Sequence, residues 1–262
     1  MGLVDRQFLD QCIDIVAGHR VRMSLSGIMV SPPSRGLGID MARRHNVCEN
    51  PTESDIIRLH ETMISEQIVG RGITARRTIE AMRAVPRHSF LPQALWGHAY
   101  DDRPQSIGFH QTISQPYIVS LMTSQFESLP EGSRILEVGS GCGYQTALLV
   151  QMGFEVHAIE IVQQLAKRSE VTLKQLDLSP VSMRSGDGKM GLPDEAPFSG
   201  VLAAACAREL PLTWIDQLGA PGILVAPVVR EDSQILVRVD KVAEGVEPTR
   251  NSIASVRFVE LM

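Results

Sequence analysis

From residue 131 onward, short apolar runs alternate with stretches in which apolar positions recur every three or four residues. The runs at 134–138, 155–160, 181–184, 200–205 and 222–226 have strand length, and the segments 144–151, 162–176 and 211–218 between them have helical spacing. Strict alternation of this kind predicts a doubly wound α/β sheet, mostly parallel. Two further runs, 234–240 and 254–260, read as closing strands.

The pattern upstream is helical. Thr52 and Asp55 stand at capping-box spacing ahead of Ile56, Leu59 and Met63, which follow at helical intervals. A second short helix in ITARRTIEAMRAVPR carries Ile79 and Met82 on one side, is stopped by Pro86, and leaves Arg76, Arg77 and Arg83 for a solvated face. An irregular stretch, WGHAYDDRPQSIGFHQTISQP, then leads into a helix beginning near Pro116, with Val119, Met122 and Phe126 as its core face. The expected division is therefore a unit over 54–262, with a helical part at 54–130 and the sheet at 131–262. Residues 1–53 hold one amphipathic stretch (Phe8, Leu9, Cys12, Ile13, Ile15, Val16) and a Pro/Gly/Ser-rich connector. They are expected to form a loosely attached extension, or to be upstream sequence before a start at Met63.

The candidate chemistry lies where the first strand of the sheet ends. In RILEVGSGCGYQTALLVQ (134–151) an apolar run breaks at Gly139, Gly141 and Gly143 and resumes at helical spacing, so that a ligand can lie against bare backbone. A dinucleotide or phosphate loop would carry GxGxxG, or a lysine after the last glycine. Here the pattern is GxGxG followed by Tyr144. That favours S-adenosylmethionine, whose ammonium Glu137 and backbone carbonyls can hold and which brings no phosphate. Glu160, ending the next strand, is placed to take the ribose hydroxyls, and Asp187 in Gly186-Asp187-Gly188 to bond the adenine amino group. A glycine-rich turn alone would be an ordinary tight connection; three carboxylates, each after its own strand, point to a nucleoside site.

Composition narrows the classes. The net charge of −5 gives no global attraction to nucleic acid or an anionic membrane, and there is no NPPY-type tetrapeptide to hold an extruded base. Cys12, Cys48, Cys142 and Cys206 are scattered without a CxxC pair, which indicates neither a metal site nor a disulfide framework. No apolar stretch approaches the roughly 20 residues needed to span a bilayer, and the start has no signal-peptide layout. A soluble, cytoplasmic monomer is expected.

The sequence also resembles the protein-L-isoaspartate O-methyltransferase family, through VPRHSFLP (85–92), PQSIGFHQTISQPYIVSLMT (104–123), ILEVGSGCGYQTALL (135–149), GDGKMGLPDEAPFSGVLAAA (186–205) and QLGAPGILVAPV (217–228). The glycine loop is common to many methyltransferases; QTISQP ahead of it with GDGxxG after it is specific to this family. The resemblance implies a Rossmann-like methyltransferase sheet with an N-terminal helical part and an antiparallel final strand. It also implies methyl transfer from S-adenosylmethionine to the carboxylate of L-isoaspartyl residues in damaged proteins or peptides. Carried over by motif, Ser114 is the active-site serine, with Gln111, Thr112 and Ile113 on the cofactor and substrate side. Glu137, Gly139, Gly141, Gly143, Glu160, Asp187 and Gly188 fall on the cofactor positions.

This set is consistent with the chemistry. A carboxylate with an ordinary pKa near ~4 is already a nucleophile at neutral pH, so orientation is the main task and a neutral donor such as a serine hydroxyl suffices. Ser114 could equally cap the helix that begins at Pro116. The chain departs from the family around Pro197-Phe198-Ser199-Gly200, at Arg208, at Pro227-Val228-Val229 and at His110, mostly on the substrate side. A carboxylate methyltransferase acting on one dedicated peptide, such as a natural-product precursor, is the alternative.

Overall fold

A computed structural model describes residues 51–262; the expectations for the extension at 1–53 lie almost wholly outside these residues. Helix α1 (Glu53–Thr62) opens with the capping box: the Thr52 hydroxyl accepts from the Asp55 amide at 3.3 Å and the Asp55 carboxylate from the Thr52 amide at 3.1 Å. A widened π-type turn, Met63–Ile68, carries the chain on, with Met63, Ile64 and Ile68 fully buried. Gly72, in the left-handed region, ends this segment. Helix α2 (Arg76–Ala84) stops before Pro86, as expected. Arg76 and Arg83 stay at the surface, pairing with Glu80 and Glu61. Arg77 does not: it turns inward and donates to the carbonyls of Glu127, Leu129 and Met152, tying α2 to the loops that enter and leave the sheet's first unit.

The irregular stretch is in part a hairpin, β1 (Gln105–Gly108) against β2 (Gln111–Ile113), closed by Phe109 and His110, both at positive φ. Helix α3 (Pro116–Ser124) begins at the expected proline. Its buried Val119 and Met122, with Phe126 just past its end, cover one face of the sheet. Gly200 leaves the room Phe126 needs: a Cβ there would come within 2.8 Å of that ring and 2.6 Å of Ile135.

The sheet has seven strands in the order β5-β4-β3-β6-β7-β8-β9. These are β3 (Arg134–Val138), β4 (Glu155–Glu160), β5 (Ser182–Ser185), β6 (Phe198–Ala203), β7 (Leu218–Arg230), β8 (Ser233–Lys241) and β9 (Thr249–Val256). The first five run parallel and the last two antiparallel. Helices α4 (Tyr144–Gln151), α5 (Gln163–Gln175) and α6 (Leu212–Asp216) form the crossovers. Leu136, Val138, Val201, Ala203, Leu224 and Trp214 belong to the buried layer on the sheet. Burying a leucine or tryptophan in this way contributes about 2–3 kcal/mol each before the entropy of ordering is subtracted.

The doubly wound sheet is thus as expected, with two corrections of extent. The strand expected at 222–226 is 13 residues long, because β8 pairs along nearly all of it. The last strand lies earlier than 254–260: the polar segment Thr249–Val256 is the edge strand, and the more apolar residues after it leave the sheet. Among the described residues no helix is long and apolar enough to cross a membrane.

Candidate functional site

Strands β3, β4 and β6 end together, and the order changes direction at β3, between β4 on one side and β6 on the other. A parallel sheet leaves a crevice at such a point. The loop after β3 fills its floor with backbone. Gly139, Gly141 and Gly143 all have positive φ, at 83°, 56° and 90°. At Gly141 this geometry matters most: a Cβ would sit 3.3 Å from Ile107 of the hairpin, in a conformation that β-branched residues resist.

The loop is held by Glu160. One oxygen accepts from the Gly141 amide at 2.7 Å and the other from the Val162 amide at 2.9 Å, which fixes the carboxylate at the crevice although it is 5% exposed. Each oxygen keeps a lone pair for a further donor. Gly188 closes the same floor from beyond β5, so near Val138 that a Cβ would come within 2.4 Å of that side chain. Its carbonyl accepts from the Trp214 indole at 2.9 Å.

The opposite wall comes from the hairpin. Gln111, Thr112, Ile113 and Ser114 line the cleft together with Gly139, Gly141, Glu160 and Gly188. Eight of the eleven expected residues therefore converge. Ser114 does not cap α3: the N-cap is Gln115, with no side-chain cap bond. What fixes Ser114 is Arg87. This fully buried guanidinium donates to the Ser114 carbonyl at 2.7 Å and to the Ala99 carbonyl at 2.8 Å, and lies 5.1 Å from the centre of the Tyr144 ring at the start of α4. Arg87 thus ties the serine to the helix that follows the glycine loop.

Three expected residues stand outside the cleft walls. Glu137 lies beneath the loop, fully buried, because alternate strand residues face opposite ways and its neighbour Val138 takes the cleft side. Its Oε2 accepts from the Thr146 hydroxyl of α4 at 2.6 Å. Burial, with the nearby Glu160 charge adding, pushes its pKa up to about 7 against the downward pull of the Thr146 bond. Gly143 serves packing: it precedes α4, and a Cβ there would meet Leu173 and Ser169 of α5 at 3.0 Å. Asp187 is exposed and caps the short turn Gly188–Met190 by accepting from the Lys189 amide at 2.9 Å.

The pattern also passed over a whole wall. The tail after β9 crosses the carboxyl end of the sheet beside Cys206, whose amide donates to the Val259 carbonyl at 2.7 Å and whose carbonyl accepts from the Leu261 amide at 2.8 Å. Gln234 clasps Phe258 with two further bonds, of 2.6 and 3.2 Å. Val259, Glu260 and Leu261 thereby line the cleft opposite the glycine loop. A second cavity, containing Pro104, Ile118 and Arg257, shares Thr112, Ser114, Ala204 and Val259 with the first. The cleft is thus open at Ser114 to a side where a large substrate can approach. No motif marks the tail; only its apolar residues after a polar strand hinted that it packs.

The family model described as protein-L-isoaspartate(D-aspartate) O-methyltransferase (PCMT) matches residues 58–262. Protein-L-isoaspartate O-methyltransferase 1 of Syntrophobacter fumaroxidans is 44% identical over 205 residues, covering 78% of this chain and 94% of its own. The enzyme of that name from Gloeobacter violaceus is 42% identical over 200 residues, covering 76% and 96%. Among solved structures, a Plasmodium falciparum protein of this description, in complex with S-adenosyl-L-homocysteine, superimposes with a TM-score of 0.67 at 24% identity, over 78% of this chain and 98% of that one.

Proposed function

Because the chain belongs to the protein-L-isoaspartate O-methyltransferase family, we propose that it transfers the methyl group of S-adenosylmethionine to the carboxylate of L-isoaspartyl residues in damaged proteins and peptides. The observation that carries this reading is Ser114, which faces both the glycine-floored cleft and the cavity open to the outside. The cleft suits the methyl donor, since its floor is bare backbone at Gly139, Gly141 and Gly188, and the accepting carboxylate of Glu160 stands where hydroxyl donors would meet it. When bound, the donor supplies a methyl group activated by a positive sulfur, so the oxygen–carbon bond forms as the sulfur–carbon bond breaks and no proton has to move.

The residues of this chain have orientation as their task. Ser114 donates its hydroxyl to one acceptor oxygen and leaves the other free to attack; Gln111, Thr112 and Ile113 place that segment over the loop. Among the described residues no lysine or arginine lines the cleft, so no cation within it stabilises the ground state of the attacking carboxylate. Glu137 acts from below, through the loop and α4, and Asp187 by shaping the turn that presents Gly188.

Tritiated methyl transfer to an isoaspartyl peptide beside its aspartyl twin tests the reading. Label on the isoaspartyl peptide alone is expected, and equal labelling of both, or of neither, refutes it. We further propose a soluble monomer with 54–262 as the catalytic unit and no nucleic-acid or membrane partner. Light scattering on the purified chain reads its mass in solution.

A further inference from the structure

Among the described residues, two charged side chains line the cleft that contains Ser114: Glu160 and Glu260. Glu160 is occupied by the Gly141 and Val162 amides. Glu260 is exposed and forms no ion pair among the described residues. Its position is nevertheless fixed, because the residues on either side of it are bonded through their backbones to Cys206. Glu260 also lines a separate surface groove that continues away from the cleft past Lys189, Arg208 and Glu209 over a floor of Cys206 and Ala207. The Cys206 thiol on that floor is pushed up by burial and, secondarily, by the charge of Glu260.

Lys189, Arg208 and Glu209 are exposed and likewise outside any ion pair among the described residues. Together with Glu260 the groove carries two charges of each sign, so its net field is small and the nearest charge decides what each substrate residue meets. Across the tail, the acceptor cavity carries Arg257 as its charged residue, which suits the approach of an anionic isoaspartyl group from that side. Glu260 is the charged residue common to the cleft that contains Ser114 and to the groove, so an extended acceptor chain that runs from Ser114 through the cleft into the groove, advancing about 3.3 Å per residue, would carry an adjoining residue past it.

We propose that Glu260 selects substrates by charge: isoaspartyl sites with lysine or arginine beside the damaged residue are methylated in preference to sites with aspartate or glutamate there. This rests on the isoaspartyl reading above. An acidic neighbour would bring a like charge against Glu260 in addition to the carboxylate being methylated, whereas a basic neighbour meets an opposite one.

The test is kcat/KM for isoaspartyl peptides identical except for Lys, Gln or Glu at the neighbouring position, placed in turn on either side. The wild type should favour Lys over Glu by about three- to thirtyfold at low salt on at least one side, the range expected for partly screened charges. That ratio should fall towards one in about 0.5 M salt, where the Debye length is only a few ångströms. Glu260→Gln should level it and Glu260→Lys invert it. A ratio of one in the wild type overturns the proposal, as does a preference that survives high salt or Glu260→Gln. These results leave the function standing as long as the Gln peptide is methylated; failure to methylate any of the peptides would remove the function itself.

Discussion

The floor of the cleft is made of main chain at the ends of β3 and β4 and in the turn after β5, and what it offers a ligand is glycine backbone and one carboxylate anchored by amides. The wall across from it is gathered from segments far apart in sequence: the hairpin through Ser114, Ala204 and Ala205 after β6, and the tail after β9. The floor depends on φ angles and close approach, so most side-chain changes there should act as all or nothing. The wall depends on which side chains it displays, so changes there should grade substrates and leave the floor intact. Of the positions where the chain departs from the family pattern, Arg208 lines the groove beyond the tail and His110 sits in the turn of the hairpin, and neither lines the cleft.

Gly141→Val should produce the largest effect. A β-branched residue at φ 56° is strained, and its Cβ would press on Ile107 of the hairpin. Binding of S-adenosylhomocysteine by calorimetry should be lost, with circular dichroism still native-like. Retained binding at preserved fold would reduce the loop to a connector and dissolve the contrast.

The floor also carries a concealed cost in Glu137. Its folded pKa of about 7 lies above the ordinary 4.5, so between those values the folded protein keeps a proton that the unfolded chain releases. The associated stability is fully present below the ordinary pKa and is lost as pH rises to about 7, a total of about 3 kcal/mol by linkage. Glu137→Gln should flatten that slope and be the more stable protein at pH 8. Denaturant unfolding at pH 5 and pH 8 reads both; a wild type whose stability does not fall over that window would show the carboxylate to be charged and satisfied.

On the wall, Ser114→Ala should leave S-adenosylhomocysteine affinity nearly unchanged while lowering kcat/KM for an isoaspartyl peptide by roughly 10–100-fold, the loss of one positioned hydrogen bond. Because the Ser114 hydroxyl does not cap α3, stability should hardly change. Full activity in this variant would move the acceptor anchor elsewhere on the wall.

What could be read in the sequence divides along the same line. Strands 134–138 and 155–160 and helix 144–151 lie where the spacing puts them, because buried parallel strands and a glycine break are strong local signals. The hairpin was illegible: its strands have four and three residues, too few for a period, and its turn uses Phe109 and His110 at positive φ where glycine or asparagine would have announced it. The apolar residues of the tail have the spacing of a strand, but its backbone is bonded to Cys206 and to the Gln234 side chain instead of to a sheet neighbour along its length. Arg87 lay in plain view in VPRHSFLP, yet only the fold reveals that its guanidinium reaches the Ser114 carbonyl.

Asp187 gives the smallest predicted effect and the finest test of how the floor works. The sequence assigned its carboxylate to the adenine; in the fold that carboxylate is exposed, lies outside the cleft walls, and accepts from the Lys189 amide at 2.9 Å. If capping is its role, Asp187→Asn should bind S-adenosylhomocysteine as the wild type does, since asparagine caps about as well as aspartate. Asp187→Ala loosens the turn that presents Gly188 and should weaken binding by about fivefold or less, the cost of about one cap of 1 kcal/mol or so. Glu160→Ala should weaken it more, by about 1–3 kcal/mol, since it removes both the anchor of the loop and an acceptor facing the cleft. Calorimetry on the three variants ranks them. Should Asp187→Ala equal or exceed Glu160→Ala, the carboxylate must swing to the ligand, and the floor would then depend on a side chain at a place where the fold makes it backbone.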